Sequence, residues 1–78
     1  MSWNHRILAH DLGVDTYFQI HEVYYDENGV PYGYTQDPIH VCADTIKGIK
    51  LTLRRMLEST KKPILWAGDK FPNEYETK

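Results

Sequence analysis

The residues of this 78-residue chain best suited to chemistry are four histidines and one cysteine. His5, His10, His21 and His40 all precede residue 45, and His40-Val41-Cys42 sets two ligand types on one side of an extended segment. A protein zinc site draws on three or four converging groups. The chain contains no C-x-x-C or H-x-x-x-H spacing, so no metal site and no other cofactor is expected. The histidines read as solvent-facing or partly packed strand residues whose charge responds to pH near about 6–7. Cys42 becomes a nucleophile only beside a base that lowers its pKa. Nothing local does so, and the expectation is a buried structural thiol. As the single cysteine, Cys42 has no disulfide partner within the chain.

Acid–base catalysis needs two carboxylates in a cleft whose surroundings separate their pKa values. Glu22 is the one acid well inside a strand pattern; Asp26, Glu27 and Asp37 sit where turns already account for them. No glycine-rich phosphate loop and no serine elbow is present. The expected class is therefore a non-enzymatic protein with no catalytic residues.

Two features point instead to binding. The net charge of −2 conceals a split: residues 1–44 carry seven acids against Arg6 alone, whereas residues 45–62 carry six bases against Glu58. Lys47, Lys50, Arg54 and Arg55 crowd one segment, suited to phosphates or to an acidic protein partner. The acidic remainder would repel a nucleic-acid backbone, so nucleic acid is the alternative partner. The second feature is aromatic: Tyr17, Tyr24, Tyr25, Tyr32 and Tyr34 fall in one hairpin region. Cross-strand tyrosines stabilise a sheet, and exposed ones favour protein interfaces.

The elements that must position these residues follow from periodicity. Trp3 to His10 alternates, with Trp3, His5, Ile7 and Ala9 on one face and Asn4, Arg6, Leu8 and His10 on the other. Asp11, Gly13 and Asp15 supply a turn. Thr16 to Tyr25 is the best strand, rich in aromatic and β-branched residues; a bulge near His21–Glu22 would bring Val23 and Tyr25 inward. Asp26-Glu27-Asn28-Gly29 marks a tight hairpin. A third strand follows, at an edge or beginning at Pro31, and ends at Gln36-Asp37-Pro38. Asp44 or Thr45 caps a helix whose stripe Ile46, Ile49, Leu53, Met56 and Thr60, widened by Leu57, faces the sheet. Gly48 sits inside it, at a cost of about 1 kcal/mol against alanine, and Pro63 stops it. Ile64, Leu65 and Trp66 form a last apolar patch.

The expected fold is α+β: a three-stranded antiparallel β-meander followed by one amphipathic α-helix packed on one sheet face. Residues 1–66 make a single domain, and residues 67–78 a polar tail that is partly disordered, with Phe71 and Tyr75 as isolated anchors.

The strings MSWNHRI, IHEVYYDENG and LRRMLESTKKPIL resemble a family of small uncharacterised proteins of bacteria and their phages, cyanobacteria and cyanophages in particular. Its members open with MSWN and a basic residue, carry H-E-V-Y-Y-D-E-x-G, then a D-P pair, here Asp37-Pro38, and end on K-P-[IV]-L, here Lys62 to Leu65. The likeness covers residues 1–66 and implies a compact domain without transferring a catalytic residue. The family's acidic T-L-E-E-L opening is replaced by Thr45-Ile46-Lys47-Gly48-Ile49. Ala43-Asp44-Thr45-Ile46 also resembles the turn that introduces the helix of HicB-type antitoxins, a likeness of architecture.

A chain this short buries only about 60% of its unfolded surface and gains from a partner. The expected function is a small protein-interaction module or regulator that self-associates or meets a protein partner. It would act through the tyrosine-bearing sheet face, the basic helix, or both. No apolar run approaches the roughly 20 residues of a membrane span. The expected location is the cytoplasm, that of the host if a phage encodes the chain.

Overall fold

Alternating side chains carry the first two strands to unusual length for so small a chain. In a computed structural model describing residues 2–76, β1 spans Ser2–Asp11 and β2 spans Thr16–Tyr25. They pair antiparallel without interruption from Ser2↔Tyr25 to Asp11↔Thr16. The expected bulge at His21–Glu22 is absent; the irregularity lies between Tyr24 and Tyr25, where β2 meets β3, Pro31–Tyr34. The hairpin is built as its sequence demands. Asp26 Oδ1 accepts the Asn28 and Val30 amides at 2.8 and 3.0 Å, and Gly29 takes φ +80, a conformation costly for other residues.

The helix α1, Ile46–Ser59, starts where Thr45 Oγ1 accepts the Gly48 amide at 3.0 Å. Gly48 serves the capping turn. A Cβ there would stand 2.8 Å from Ala43 Cβ, so glycine lets the capping turn fold against the helix. The sheet has four strands in the order β3-β2-β1-β4, because Leu65–Trp66, β4, pairs parallel to β1 as Leu8↔Leu65 and Ala9↔Trp66. The α+β class and the meander hold, and the fourth strand makes the curled sheet mixed rather than purely antiparallel.

Both sides of the sheet are occupied. Over Trp3 and His5, α1 lies chiefly along β1, with the Arg55 guanidinium 5.1 Å from the Trp3 ring. On the opposite side Leu8, Val23 and Leu65 form the buried core, with Tyr25, Tyr34, Ala67 and Phe71 packed around it. The segment after β4 is therefore not a loose tail as far as Glu76. The Gly68 amide donates to the Tyr34 hydroxyl at 2.7 Å, Phe71 lies 4.8 Å from the Tyr34 ring, and Tyr75 stands edge-on to Trp66 and Phe18. Aromatic anchors outweigh the polar composition of residues 67–76. Met1, Thr77 and Lys78, the ends of the expected segments, lie outside the described residues.

The close approach at Gly48 gives a test. Gly48→Ala alone gains nothing in stability, because the added methyl meets Ala43. In an Ala43→Gly background the same change stabilises by about 1 kcal/mol, the ordinary helix preference of alanine over glycine. Urea unfolding of the four chains of this double-mutant cycle measures the difference.

Candidate functional site

The histidine set is reorganised by the curl of the sheet. His10 and His21 lie on the same sheet face, and their Nε2 atoms stand 2.9 Å apart, although they are not register partners. His21 is fully buried. Its Nδ1 lies 2.9 Å from the Thr35 carbonyl oxygen. A carbonyl only accepts, so the proton of neutral His21 sits on Nδ1 and its Nε2 is an acceptor. His10 must then donate from Nε2, which leaves its Nδ1 with a lone pair. The His10 ring stacks on Tyr17 at 4.8 Å, and the Tyr34 ring stands edge-on to His21 at 5.5 Å.

His10 borders a cavity of about 400 Å³. His10, Asp11, Tyr17, Tyr34, Trp66 and Asp69 contribute to its wall, with Lys70 Nζ 4.6 Å from the centre of the Trp66 ring. Burial lowers the pKa of both histidines. At His21 the bond to Thr35 and the field of Asp37 oppose the shift, while His10 adds to it. Across the sheet, His5 is also buried under α1 and its Nδ1 has no hydrogen-bond partner. Burial lowers its pKa too; Glu22 opposes this and Arg55 adds to it.

The residues expected to form one tyrosine face are divided between two. Tyr17, Tyr25 and Tyr34 share the face of Leu8, whereas Tyr24 and Tyr32 meet on the other, 6.5 Å apart. Tyr25 and Tyr34 are also engaged inside the fold. The Tyr25 hydroxyl donates to Asn4 Oδ1 at 2.7 Å and accepts from Arg6 at 2.9 Å, and Tyr34 accepts from Gly68. The opposite side of the sheet is thus no open tyrosine platform, because the returning chain covers it. Tyr17 and Tyr32 remain exposed.

The basic residues fare differently. Lys47, Lys50 and Arg54 project from α1 into solvent, while Arg55 is turned onto Trp3. Beside them lies a feature the sequence stripe assigned to the core. Ile46, Leu53 and Leu57 are 73%, 50% and 61% exposed. The residues of α1 that are buried or half-buried are Gly48, Ile49, Thr52, Met56 and Ser59. Cys42, expected inside, is exposed, as are His40 and Val41. Among the described residues no three His, Cys, Asp or Glu side chains converge in a way that would hold a metal.

No protein-family model matches this chain, and no curated protein or solved structure matches it either. The two surfaces therefore have to be read from their own chemistry. No helix among the described residues is long and apolar enough to cross a membrane.

The lowered pKa values fix a pH dependence. For a base whose folded pKa lies below its ordinary 6.5, the unfolded chain binds more protons as pH falls through 6.5. Stability is complete above that value and declines below it. The pair accepts one proton on His10 Nδ1 with its hydrogen bond intact; a second proton sets two N–H groups head to head. Urea midpoints measured between pH 7.5 and pH 5 should fall with pH, and His10→Gln should flatten that fall.

Proposed function

We propose that the chain is an interaction module whose working surface is the outward ridge of α1, and that its partner presents an apolar strip flanked by acidic side chains. The observation that carries this reading is the exposure of Ile46, Leu53 and Leu57 beside Lys47, Lys50 and Arg54. Apolar side chains at this spacing form a stripe of the kind that grooves and partner helices bury. The cations along one edge supply register and orientation to an acidic counterpart.

The whole surface supports the same reading. The chain exposes 5793 Å², against about 4,900 Å² for a typical folded monomer of 9.2 kDa. A module with so small a core gains stability from covering an apolar ridge.

The position of the charges also bears on self-association. In a two-fold antiparallel pairing of two α1 ridges, each flank meets its own copy. Lys47, Lys50 and Arg54 would then face their equivalents, and like charges at close range oppose that pairing. An acidic partner removes the repulsion. Nucleic acid, the alternative expected from the basic residues, meets only the cationic edge and leaves the leucines in water.

A synthetic helix with leucines on one face and glutamates along both margins is the direct probe. It should bind the full chain at low salt, and Leu53→Asp should weaken binding at least tenfold. Because Leu53 is half exposed, that substitution should change folding stability by no more than about 0.5–1 kcal/mol. Light scattering should find a monomer. Failure of the acidic helix to bind, or equal binding by Leu53→Asp, would remove the proposal. A duplex oligonucleotide retained equally by wild type and Leu53→Asp, with no acidic-helix binding, would favour the nucleic-acid alternative.

A further inference from the structure

We propose that the pocket between the last turns of α1 and the first residues of β1, lined by Arg54, Arg55, Lys62 and Trp3, binds an aryl phosphate: a phosphate monoester carried on a single aromatic ring. Three observations converge on it. Arg54 is the one residue it shares with the α1 ridge, and the site stands whether or not that ridge meets a partner.

The first is unpaired charge. Arg54, Arg55 and Lys62 border this cavity of about 270 Å³ together with a single carboxylate, Glu58. Among the described residues Glu58 pairs with Lys61 at 3.2 Å, whereas no carboxylate pairs with Arg54, Arg55 or Lys62. The excess of positive charge matches a dianion. A phosphate monoester carries about −1.5 to −2 at pH 7, more than any carboxylate. Guanidinium forks also match phosphate oxygens two at a time. The second is order. Arg55 is held over the Trp3 ring at 5.1 Å, so its guanidinium is positioned before a ligand arrives. The third is an aromatic wall. Trp3 is 44% exposed, and its ring centre lies 5.6 Å from that of His5. His5 is buried and its Nδ1 has no hydrogen-bond partner. Its pKa is lowered, chiefly by burial, so at pH 7.5 it stands as a neutral ring behind Trp3.

Size selects the body of the ligand. A cavity of about 270 Å³ lies below the range of about 300–1,000 Å³ that encloses drug-sized molecules, so the phosphate is carried on one ring. In the bound state the phosphate oxygens accept hydrogen bonds from Arg54, Arg55 and Lys62, and the ring lies against the exposed part of Trp3. A phosphodiester of a nucleic-acid backbone carries a single charge and presents no terminal phosphate, and it fits the site less well. The same chemistry has two sources: a free aryl phosphate, or the phosphotyrosine side chain of a peptide. Because the three cations are exposed, added salt weakens the binding of either.

Titration of phenyl phosphate into the full chain at pH 7.5 and low ionic strength, followed by nuclear magnetic resonance, tests the site. The Trp3 indole and His5 ring signals should shift together, and the titration of His5 should move to higher pH as the dianion binds. The signals of His10 and His21 should stay in place. Inorganic phosphate and benzoate should each bind at least tenfold more weakly. Arg54→Gln and Lys62→Gln, both at exposed positions, should each weaken binding at least threefold with the fold intact, and Arg55→Gln at least tenfold. Lys70→Gln, which removes the same charge elsewhere, should leave the affinity unchanged. A phosphotyrosine flanked by alanines that binds as tightly as phenyl phosphate upholds the site and assigns its ligand to a peptide; weaker binding by that peptide upholds it and assigns the ligand to a free molecule. Equal affinity for inorganic phosphate and phenyl phosphate, the mark of an adventitious ion only, would overturn the proposal. So would an undiminished affinity in Arg54→Gln and Lys62→Gln, or the absence of any shift at Trp3 and His5.

Discussion

The parallel pairing of Leu65–Trp66 with Leu8–Ala9 is the constraint on which the rest of this fold depends. It covers the outer border of β1 only at Leu8 and Ala9, and that is the stretch of the edge closest to the core. With it, Leu65 enters the core beside Leu8 and Val23, and the chain beyond is delivered to the far side of the sheet. There the Gly68 amide finds the Tyr34 hydroxyl and Phe71 joins the Tyr34 ring, and the Leu65↔Glu74 bridge turns the chain back so that Tyr75 reaches Trp66 and Phe18, the partners of Ala9 on the other face. Arg6 ties the entry to this segment by donating to the Pro63 carbonyl at 2.7 Å. Two residues of strand thus close a chain too short to enclose a large core.

The same closure shapes both surfaces. Because the returning segment covers the Leu8 side, Tyr25 and Tyr34 become internal supports, and His10, stacked on Tyr17, opens to a cavity while His21 is buried behind it. Because α1 lies along β1 rather than across the whole sheet, it docks through a narrow seam. Ser59 is the only residue of α1 that is fully enclosed, and Ile46, Leu53 and Leu57 are left outside. The cost of this geometry is apolar surface in water. It is also what gives the helix an amphipathic edge beside its cations.

Much of the framework was legible from residue order. The faces of β1, the Asp26–Gly29 turn, the Thr45 cap and the β3 start at Pro31 follow from alternation, turn chemistry and capping, all of which are local. What was not legible depends on distant placement. A two-residue strand such as Leu65–Trp66 has no period to detect. The spacing of Ile46, Ile49, Leu53 and Met56 identifies an apolar arc but not which margin of it touches the sheet. Tyr24 and Tyr25 are neighbours in one strand, so alternation already sent them to opposite faces, and the clustering of tyrosines in sequence concealed this. The His10–His21 contact spans non-partner positions and arises only because the sheet curls. Cys42 is exposed because the chain leaves the sheet after Ile39, whose amide still bonds the Ile20 carbonyl, and runs exposed from His40 to Thr45.

If closure by β4 is what makes the fold cooperative, a chain ending at Lys62, which retains the whole meander and α1, decides the matter. Urea unfolding followed by tryptophan fluorescence and circular dichroism should show no cooperative transition for that shortened chain and a single sharp one for the full chain. A sharp transition in the shortened chain at a midpoint near that of the full chain would contradict the account, since meander and helix would then suffice alone.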